Sequence, residues 1–251
     1  MFMNDEELLR YSRQIMLPQV DIVGQEKLKK ARVLIIGAGG LGSPVAMYLA
    51  AAGVGFIAIT DDDKVDLSNL QRQILHTTLD IGKEKTVSAK ETLTALNPYT
   101  EITCFSKRLN SIELEEQASY ADVVLDCSDN FVTRFAVNNA CVVTKTALVS
   151  GAAIRFEGQV AVFYPGRDDS PCYNCLYPDS GETEERCTQT GVIAPITGIV
   201  GSIQALEALK AIMGIGQTLS GRVLLLDGLS MEWNTMQLRR NPDCPTCSMG
   251  R

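Results

Sequence analysis

The chain has 251 residues, of which 45% are hydrophobic and 21% are charged, a composition typical of a soluble globular protein with a large core. Its 23 Lys and Arg residues against 30 Asp and Glu give a net charge of −7, which disfavours general binding to nucleic acids or anionic membranes. The single histidine, His76, excludes a multi-histidine metal centre within one chain. The acidic N-terminus is unlike a signal peptide, and the longest apolar stretch, residues 192–213, is interrupted by Gln204, Glu207 and Lys210. We therefore expect a cytoplasmic protein.

The chain begins with a predicted helix that Asn4 caps and that we expect to continue to Pro18. Residues 32–36 form a short apolar run, which is typical of a buried parallel strand. A glycine-rich turn at 37–42 and a helix of small residues at 43–52 follow.

Alternating strands and helices continue to about residue 150. Strands are predicted at 56–60, 102–105, 123–127 and 147–150, and helices at 84–96, 112–118 and 130–144. Beyond them we predict strands at 159–163, 223–226 and 231–238, an exposed loop at 166–191 and a helix at 195–213.

The order of these elements predicts an α/β fold. It is a Rossmann-like doubly wound sheet, parallel in its N-terminal part, with an antiparallel C-terminal extension because helices no longer separate the last strands in the same regular alternation. We interpret residues 1–251 as a single domain, with a nucleotide-binding half (1–150) and a mixed-sheet half (151–251).

The glycine-rich turn carries the first chemical signal. Gly37, Gly39 and Gly42 have the spacing of a nucleotide-binding turn, in which glycines let the backbone approach phosphate and a helix N-terminus offers N–H donors. Asp61, at the end of the next strand, is placed to accept hydrogen bonds from ribose hydroxyls. This pattern predicts a nucleotide site without separating NAD from ATP.

Three polar features at the same edge of the predicted sheet favour ATP. The segment 68–72 ends in Arg72, whose guanidinium suits phosphate, and Lys85 opens the next helix as a point charge. Asp129 follows the fourth strand and could hold Mg²⁺ against phosphates. Each residue alone is equally well explained as a surface charge or a helix cap, but the set favours a triphosphate.

Four of the eight cysteines form two CxxC pairs, Cys172 with Cys175 and Cys244 with Cys247. Four thiolates in two such pairs fit tetrahedral zinc, and a Cys₄ site without an open position is structural. A redox pair or two disulfides are the alternatives. A redox CxxC normally opens a helix after a strand, and we expect neither pair to do so. We therefore predict a zinc ion that fastens the C-terminal tail to the long loop.

The remaining cysteines are of two kinds. Cys104, Cys127 and Cys141 lie in apolar strand or helix patterns and are predicted to be buried. Cys187 lies in a polar segment, where an incidental exposed thiol and a thiol that forms a thioester, persulfide or mixed disulfide both stay open. His76 has no evident catalytic partner, and we expect a structural role for it.

Together these motifs resemble the HesA/MoeB/ThiF family, the bacterial relatives of ubiquitin-activating enzymes. Besides the CxxC pairs, the resemblance includes residues 10–14 (RYSRQ), 37–42 (GAGGLG), 66–73 (DLSNLQRQ), 126–130 (DCSDN) and 191–195 (GVIAP), and it covers nearly the whole chain. Such enzymes adenylate the C-terminal glycine of a small ubiquitin-like sulfur-carrier protein. The resemblance thus implies an adenylating domain with ATP as substrate, Mg²⁺, structural zinc and a homodimer.

The resemblance also implies roles for the matched positions. Gly40 and its neighbours would line the ATP phosphates, Asp61 would hold the ribose, and Asp129 would bind Mg²⁺ and orient the α-phosphate. Arg13 would be an arginine finger from the second subunit, and Cys187 stands at the family's conserved-cysteine position. The implied ATP-binding set is Gly37, Gly39, Gly40, Asp61, Ser68, Asn69, Leu70, Gln71, Arg72, Lys85, Asp129 and Asn130, and the implied catalytic set is Arg13, Arg72, Lys85 and Asp129.

Within the family two carriers compete, the small subunit of molybdopterin synthase and the thiamine carrier ThiS. Residues 150–159 are more similar to the molybdopterin branch, which we therefore expect. The chain ends at Arg251 without the rhodanese domain of some relatives, so we expect a separate sulfur donor. Cys187 would be dispensable in the molybdopterin branch and would form an acyl disulfide in the thiamine branch.

Two hypotheses from other classes stay open at this point. An NAD-dependent oxidoreductase would explain the glycine turn and Asp61, but neither the charged cluster nor the cysteine pairs. A nonenzymatic, zinc-stabilised module that binds a partner's tail would need no ATP.

Overall fold

The computed structural model describes residues 3–167, 169–178 and 191–248, so Cys187 and half of the predicted 166–191 loop lie outside the described residues. The helices are α1 (Asp5–Arg10), α2 (Ser12–Ile15), α3 (Asp21–Lys30), α4 (Gly42–Ala51), α5 (Lys85–Leu96), α6 (Ser111–Tyr120), α7 (Phe131–Thr144), α8 (Tyr173–Leu176) and α9 (Ala194–Met213). The strands are β1 (Arg32–Ile36), β2 (Phe56–Thr60), β3 (Glu101–Phe105), β4 (Val123–Asp126), β5 (Ala147–Ile154), β6 (Glu157–Phe163), β7 (Arg222–Asp227) and β8 (Glu232–Gln237). Short 3₁₀ turns lie at Leu67–Asn69 and Thr78–Asp80.

In the described part of the chain, these strands form one sheet in the order β3-β2-β1-β4-β5-β6-β7-β8. The strands from β3 to β5 pair in parallel, and β6, β7 and β8 join as antiparallel strands. This confirms the predicted doubly wound sheet with an antiparallel extension. The chain leaves β1 toward β2 on one side and later returns to β4 on the other, and in open sheets ligands bind in the crevice at such a point.

Both faces of the parallel sheet are covered, which explains why its strands are continuously apolar. Along β1, Val33 and Ile35 belong to the core on one face, whereas Leu34 and Ile36 belong to the core on the other. This two-residue alternation fixes the register of β1, and with it the place where the glycine turn begins.

Helix α9 is, among the described residues, the one helix long and apolar enough to cross a membrane. Half of its apolar window is buried inside the protein, where Gln204 Nε2 donates to the Asp126 carbonyl at 2.9 Å. Buried Glu207 accepts a hydrogen bond from the Leu219 N–H at 2.7 Å. At Gly201 an added Cβ would lie 2.6 Å from the Leu41 carbonyl oxygen, so α9 packs closely on the start of α4. These contacts are those of a core helix.

The N-terminal region differs from the prediction of one helix to Pro18. The predicted Asn4 cap is confirmed, but the helix breaks at Tyr11 because that side chain turns into the core, where its hydroxyl accepts a hydrogen bond from Asn97 Nδ2 at 2.8 Å. Helix α3 was not predicted, since its buried residues are Gly24, Gln25 and Leu28, which leave no apolar period in the sequence.

Strand β5 is also longer than predicted and continues to Ile154. It turns at once into β6 through Arg155, which has a left-handed φ of 52°. The two strands therefore form a hairpin at the side of the crevice.

Candidate active site

A cleft of about 710 Å³ opens at the carboxyl ends of the central parallel strands. One end is formed by the turn after β1, by Asp61 after β2 and by Ser128 after β4. The cleft then continues along the β5–β6 hairpin, where Gln159 lines it, to Asn234 on β8. This is the position at which doubly wound sheets bind ligands.

The glycine turn is compact because two of its glycines touch. Gly37 has a left-handed φ of 97°, and a Cβ on Gly42 would lie only 1.9 Å from the Gly37 carbonyl oxygen. Gly39 and Gly40 line the cleft, where they leave the backbone open to a ligand. The predicted motif therefore has a steric basis at its first and last glycines.

Replacing Gly42 with alanine is expected to lower the free energy of unfolding by at least about 2 kcal/mol, because the added methyl group would overlap the backbone of the turn. ATP affinity should fall with it. Chemical denaturation and ATP titration measure the two effects. Gly198→Ala is the matched control, since a Cβ there meets no atom within 4 Å; equal effects of both substitutions would contradict the steric argument.

Asp61 connects the end of β2 to the glycine turn. Its Oδ2 accepts a hydrogen bond from the Ala38 N–H at 2.8 Å, and its Oδ1 accepts one from the Asp63 N–H at 2.9 Å. Burial raises the pKa of Asp61, although nearby Lys85 acts in the opposite direction. A carboxylate has about four lone-pair sites, so acceptor capacity for ribose hydroxyls is left.

Lys85 begins α5 beside this carboxylate and is only 4% exposed. Its Nζ donates to Asp63 Oδ2 at 2.7 Å and lies 3.7 Å from Asp61 Oδ1. The structure thus brings the predicted ammonium group into the cleft as a buried cation held by two carboxylates.

His76 supports the glycine turn from behind. Its Nε2 lies 2.9 Å from the Ala38 carbonyl oxygen, and its Nδ1 lies 2.8 Å from Ser88 Oγ on α5. Because a carbonyl can only accept, Nε2 carries the proton and Nδ1 accepts from the serine hydroxyl. Burial lowers the pKa of His76, so the neutral ring is the form that the fold favours.

This lowered pKa makes stability depend on pH. Below pH 6.5, the ordinary pKa of histidine, the unfolded chain takes up a proton at His76 while the folded protein resists it. The contribution of His76 to the free energy of unfolding is therefore complete above pH 6.5 and is lost as the pH falls below that value. We expect a slope of at most about 1.4 kcal/mol per pH unit from this group. Denaturation of the wild type and of His76→Gln between about pH 7 and pH 5 measures it. Equal slopes for the two proteins would contradict the prediction.

Asp129 lies at the mouth of the cleft after β4. It is exposed, and Asn130 Nδ2 donates to its Oδ1 at 3.4 Å, while Asn130 Oδ1 caps α7 by accepting from the Thr133 N–H at 2.9 Å. Buried Arg134 donates to the Ser128 carbonyl at 2.7 Å and so fixes the backbone next to Asp129. The arrangement presents the Asp129 carboxylate to the cleft on a fixed loop.

The segment 66–73 reaches the cleft through only some of its predicted residues. Arg72 lines the cleft, packs within 3.4 Å of the Cβ position of Gly40, and donates to Asn69 Oδ1 at 2.8 Å. Ser68 is held by Asp66 in a local turn. Among the described residues that line the cleft, Ser68, Asn69, Leu70 and Gln71 do not occur.

Arg13 lies away from the cleft on α2 and is exposed. Its neighbour Arg10 donates to the Leu96 carbonyl at 3.1 Å and lies over the ring of Tyr99. Arg10 therefore binds groups of its own chain.

The cleft also contains residues that the sequence analysis did not assign. Arg108, Arg134 and Gln73 line it. Arg108 comes shortly after β3, so its position beyond the carboxyl end of a predicted strand is a signal that could have found it. Gln73 is one residue past the predicted segment 68–72, and Arg134 faces the cleft only because of how α7 packs.

The four paired cysteines form one cluster. Their sulfur atoms lie within 4.8 Å of one another, at 3.6 Å for Cys172 and Cys244, 3.6 Å for Cys175 and Cys247, and 4.0 Å for Cys172 and Cys175. Zinc with Zn–S bonds of about 2.3 Å needs sulfur–sulfur distances near 3.8 Å, so the residues fit the ion. Hydrogen bonds from the Cys172 thiol and from backbone N–H groups lower the pKa of Cys175 to about 4, which provides a thiolate.

The alternatives for the cysteine pairs do not fit this geometry. The sulfurs are well beyond the disulfide bond length of about 2.05 Å, and the described cysteines are free. The expectation that neither cysteine pair opens a helix is wrong, because Cys172 is the N-cap of the one-turn helix α8. The redox hypothesis fails instead because the sulfur atoms of both pairs meet in a single cluster.

The predicted burial is confirmed for two of the three remaining described cysteines and is only partial for the third. Cys127 and Cys141 are buried, and burial raises the pKa of both thiols. Cys104 is only half-buried, and its Sγ donates to the Thr86 carbonyl at 3.1 Å.

Comparison with known proteins places this arrangement among adenylating enzymes. The chain matches the ThiF family over residues 11–246. It is 48% identical over 245 residues to the sulfur carrier protein ThiS adenylyltransferase of Escherichia coli (strain K12), covering 98% of this chain and 97% of that protein. It is 46% identical over 245 residues to the molybdopterin-synthase adenylyltransferase of the same organism, covering 98% of each chain.

A similar fold is found among solved structures. The crystal structure of Escherichia coli MccB with ATP has a TM-score of 0.83 and 25% identity, and the match covers 95% of this chain and 74% of that one. These findings confirm the resemblance drawn from the sequence motifs.

Proposed function

Because the chain belongs to the ThiF family, we propose that it is a nucleotidyltransferase that adenylates the C-terminal glycine of a ubiquitin-like sulfur-carrier protein. The observation that carries this proposal is the composition of the cleft. Its one end combines the glycine turn with Arg72, Lys85 and Asp129, and its other end follows the β5–β6 hairpin. The first end suits a triphosphate, and the second offers room for an extended peptide tail.

In the proposed reaction, a carboxylate oxygen of the carrier's last residue attacks the α-phosphorus of ATP. The bond from that phosphorus to the bridging oxygen breaks, and the electron pair leaves with pyrophosphate. A carboxylate is ionised at neutral pH and needs no general base. The barrier arises from bringing two anions together, so catalysis consists of positioning and charge neutralisation.

Lys85 and Arg72 supply positive charge within the chain. Lys85 is held by Asp63 and Asp61, which keep an ammonium group in the cleft before a nucleotide arrives. On binding, we propose that Lys85 exchanges Asp63 for a phosphate oxygen, since Asp63 is mostly exposed and can turn to water. Arg72 would stay aligned through its hydrogen bond to Asn69.

Asp129 is the proposed Mg²⁺ ligand. No ion pair of Asp129 occurs among the described residues, and its exposed oxygen atoms are of the kind that Mg²⁺ prefers. Magnesium bound there would neutralise phosphate charge.

We further propose a homodimer in which Arg13 reaches the partner's cleft. Arg13 is exposed beside Met16 and Leu17, whose side chains are 71% and 52% exposed. Apolar side chains exposed together mark interaction surfaces. The dimer would bury them and supply the cation that this chain does not bring to its own cleft.

For the carrier we propose the small subunit of molybdopterin synthase, which places the protein in molybdenum cofactor biosynthesis in the cytoplasm, with a separate sulfur donor. ThiS is the second candidate, because the ThiS adenylyltransferase is 48% identical and the molybdopterin-synthase enzyme 46%. The role of Cys187, tied to that choice, stays a prediction. Family membership favours both over an NAD-dependent oxidoreductase.

Measuring ATP–pyrophosphate exchange with each carrier separately tests the proposal. Exchange with the molybdopterin-synthase subunit alone is the expected result. Exchange with ThiS alone would support the second candidate, and exchange with neither by folded, zinc-replete protein would contradict adenylation.

A further inference from the structure

Gln73 lies in the cleft wall with a polar atom that the protein leaves without a partner. The residue is 4% exposed, and no described residue donates a hydrogen bond to its buried Oε1. Such an acceptor is costly, and native proteins rarely keep one unless another molecule supplies the donor. Asn138 Nδ2 is buried in the same way but does not line the cleft.

The carboxamide of Gln73 lies against the glycine turn. Its Nε2 is 3.5 Å from the point where a Cβ would stand on Gly39, while the neighbouring Arg72 side chain lies 3.4 Å from the corresponding point on Gly40. Both glycines line the cleft. The amide therefore reaches the surface that the proposed function assigns to phosphates.

The chain around Gln73 is held in place on both sides. Its N–H donates to the Asn69 carbonyl at 3.1 Å, and its own carbonyl accepts from the His76 N–H at 3.1 Å. The His76 ring is in turn bonded to the Ala38 carbonyl within the glycine turn. The backbone from which the carboxamide projects is thus fixed before a ligand arrives, as in preorganised sites.

We propose that Gln73 is a further nucleotide-binding residue, whose carboxamide hydrogen-bonds ATP at its phosphate end. Nε2 donates to a phosphate oxygen beside Gly39, and Oε1, which is buried in the nucleotide-free protein, accepts from a hydroxyl or an ordered water once the side chain turns toward the bound nucleotide. This inference rests on the proposed function, since it takes ATP as the ligand. It adds a neutral donor and acceptor beside the two predicted cations, Arg72 and Lys85.

Gln73→Leu tests the inference, because leucine has a similar size and lacks both polar atoms. We expect the apparent melting temperature of the nucleotide-free variant to equal or exceed that of the wild type, since a buried unsatisfied acceptor is removed. We expect its affinity for ATP with Mg²⁺, measured by calorimetry without a carrier, to fall by about tenfold. A glutamine with a purely structural role would give the reverse pattern. Gln217→Leu, at an exposed loop position, is the matched control and should change neither quantity.

Gln73→Glu provides a second variant. Its carboxylate repels phosphate when ionised, so ATP affinity should be weaker at about pH 8 than at about pH 5, relative to the wild type. Wild-type ATP affinity in Gln73→Leu, or in Gln73→Glu at both pH values, would overturn the inference. If the wild type binds ATP but exchanges pyrophosphate with neither carrier, adenylation fails while calorimetry still decides the role of Gln73.

Discussion

Replacing Asp129 with alanine is expected to lower carrier-dependent ATP–pyrophosphate exchange by on the order of a hundredfold or more. Its exposed carboxylate at the mouth of the cleft is the proposed Mg²⁺ ligand, so its removal leaves phosphate charge without compensation. The described structure gives this side chain only a long contact, 3.4 Å from Asn130. The free energy of unfolding should therefore change by less than about 0.5 kcal/mol.

Two controls separate this loss from a general effect of charge. Glu116→Ala removes an exposed carboxylate on α6 and should leave exchange unchanged. Asp129→Asn keeps the shape of the side chain and should be nearly as inactive as the alanine variant, because an amide cannot neutralise a divalent cation. Near-normal exchange by either Asp129 variant would contradict the magnesium assignment.

The same variant can test whether Arg13 acts across a dimer. Mixing Asp129→Ala protomers with Arg13→Ala protomers places both changes in one cleft of each mixed dimer and neither in the other. Random mixing should then restore about a quarter of wild-type activity to a pair of inactive proteins. No recovery after confirmed subunit exchange would mean that Arg13 acts in its own chain or not at all.

Removing zinc is expected to lower the free energy of unfolding by about 3 kcal/mol or more, because the ion joins the C-terminal tail to α8 and its loss would leave four thiols of a partly buried cluster without their ligand. The C-terminal tail reaches α8 through the four cysteines and through a hydrogen bond of 2.9 Å from Asn174 Nδ2 to Thr246 Oγ1. Metal analysis, followed by denaturation with and without a strong chelator, measures the effect.

Zinc removal should also affect the carrier end of the cleft more than the ATP end. Tyr173 and Tyr177, on either side of Cys175, line the cleft, and the Tyr177 hydroxyl donates to Gln159 Oε1 at 2.6 Å. Carrier-dependent exchange should therefore be lost while ATP still binds.

Cysteine variants give the matched comparison. Cys244→Ser should reproduce the chelator's effect, and Cys104→Ser should not, since serine can keep the hydrogen bond to the Thr86 carbonyl. A protein isolated without zinc that is equally stable and active would contradict the structural-zinc prediction.

The parts of the fold that depend on local pattern were predictable from the sequence. The apolar run of β1, the glycine turn after it and Asp61 at the end of β2 follow from strand periodicity and turn sterics. The spacing of the cysteine pairs predicts a cluster because thiolate geometry limits the alternatives. The antiparallel extension was predictable because the regular alternation of strand and helix stops after about residue 150.

The features that were not predictable depend on tertiary contacts. The break at Tyr11 is caused by a side chain whose partner, Asn97, is far along the chain. Helix α3 buries Gln25 rather than an apolar stripe, since Gln25 Nε2 donates to the Ala52 carbonyl at 2.8 Å. Gln73 is marked by an unsatisfied atom, which no sequence pattern reveals. The position of Arg13 relative to a partner's cleft depends on a second chain.

Adenylation is tested most directly by ATP–pyrophosphate exchange of the zinc-replete protein with an intact carrier and with the same carrier lacking its C-terminal glycine. We expect Mg²⁺-dependent exchange with the intact carrier only, because the new terminal carboxylate of the shortened carrier ends one residue, about 3.5 Å, short of the α-phosphorus. Exchange that proceeds equally with the shortened carrier, or that is absent with both candidate carriers, would contradict this prediction.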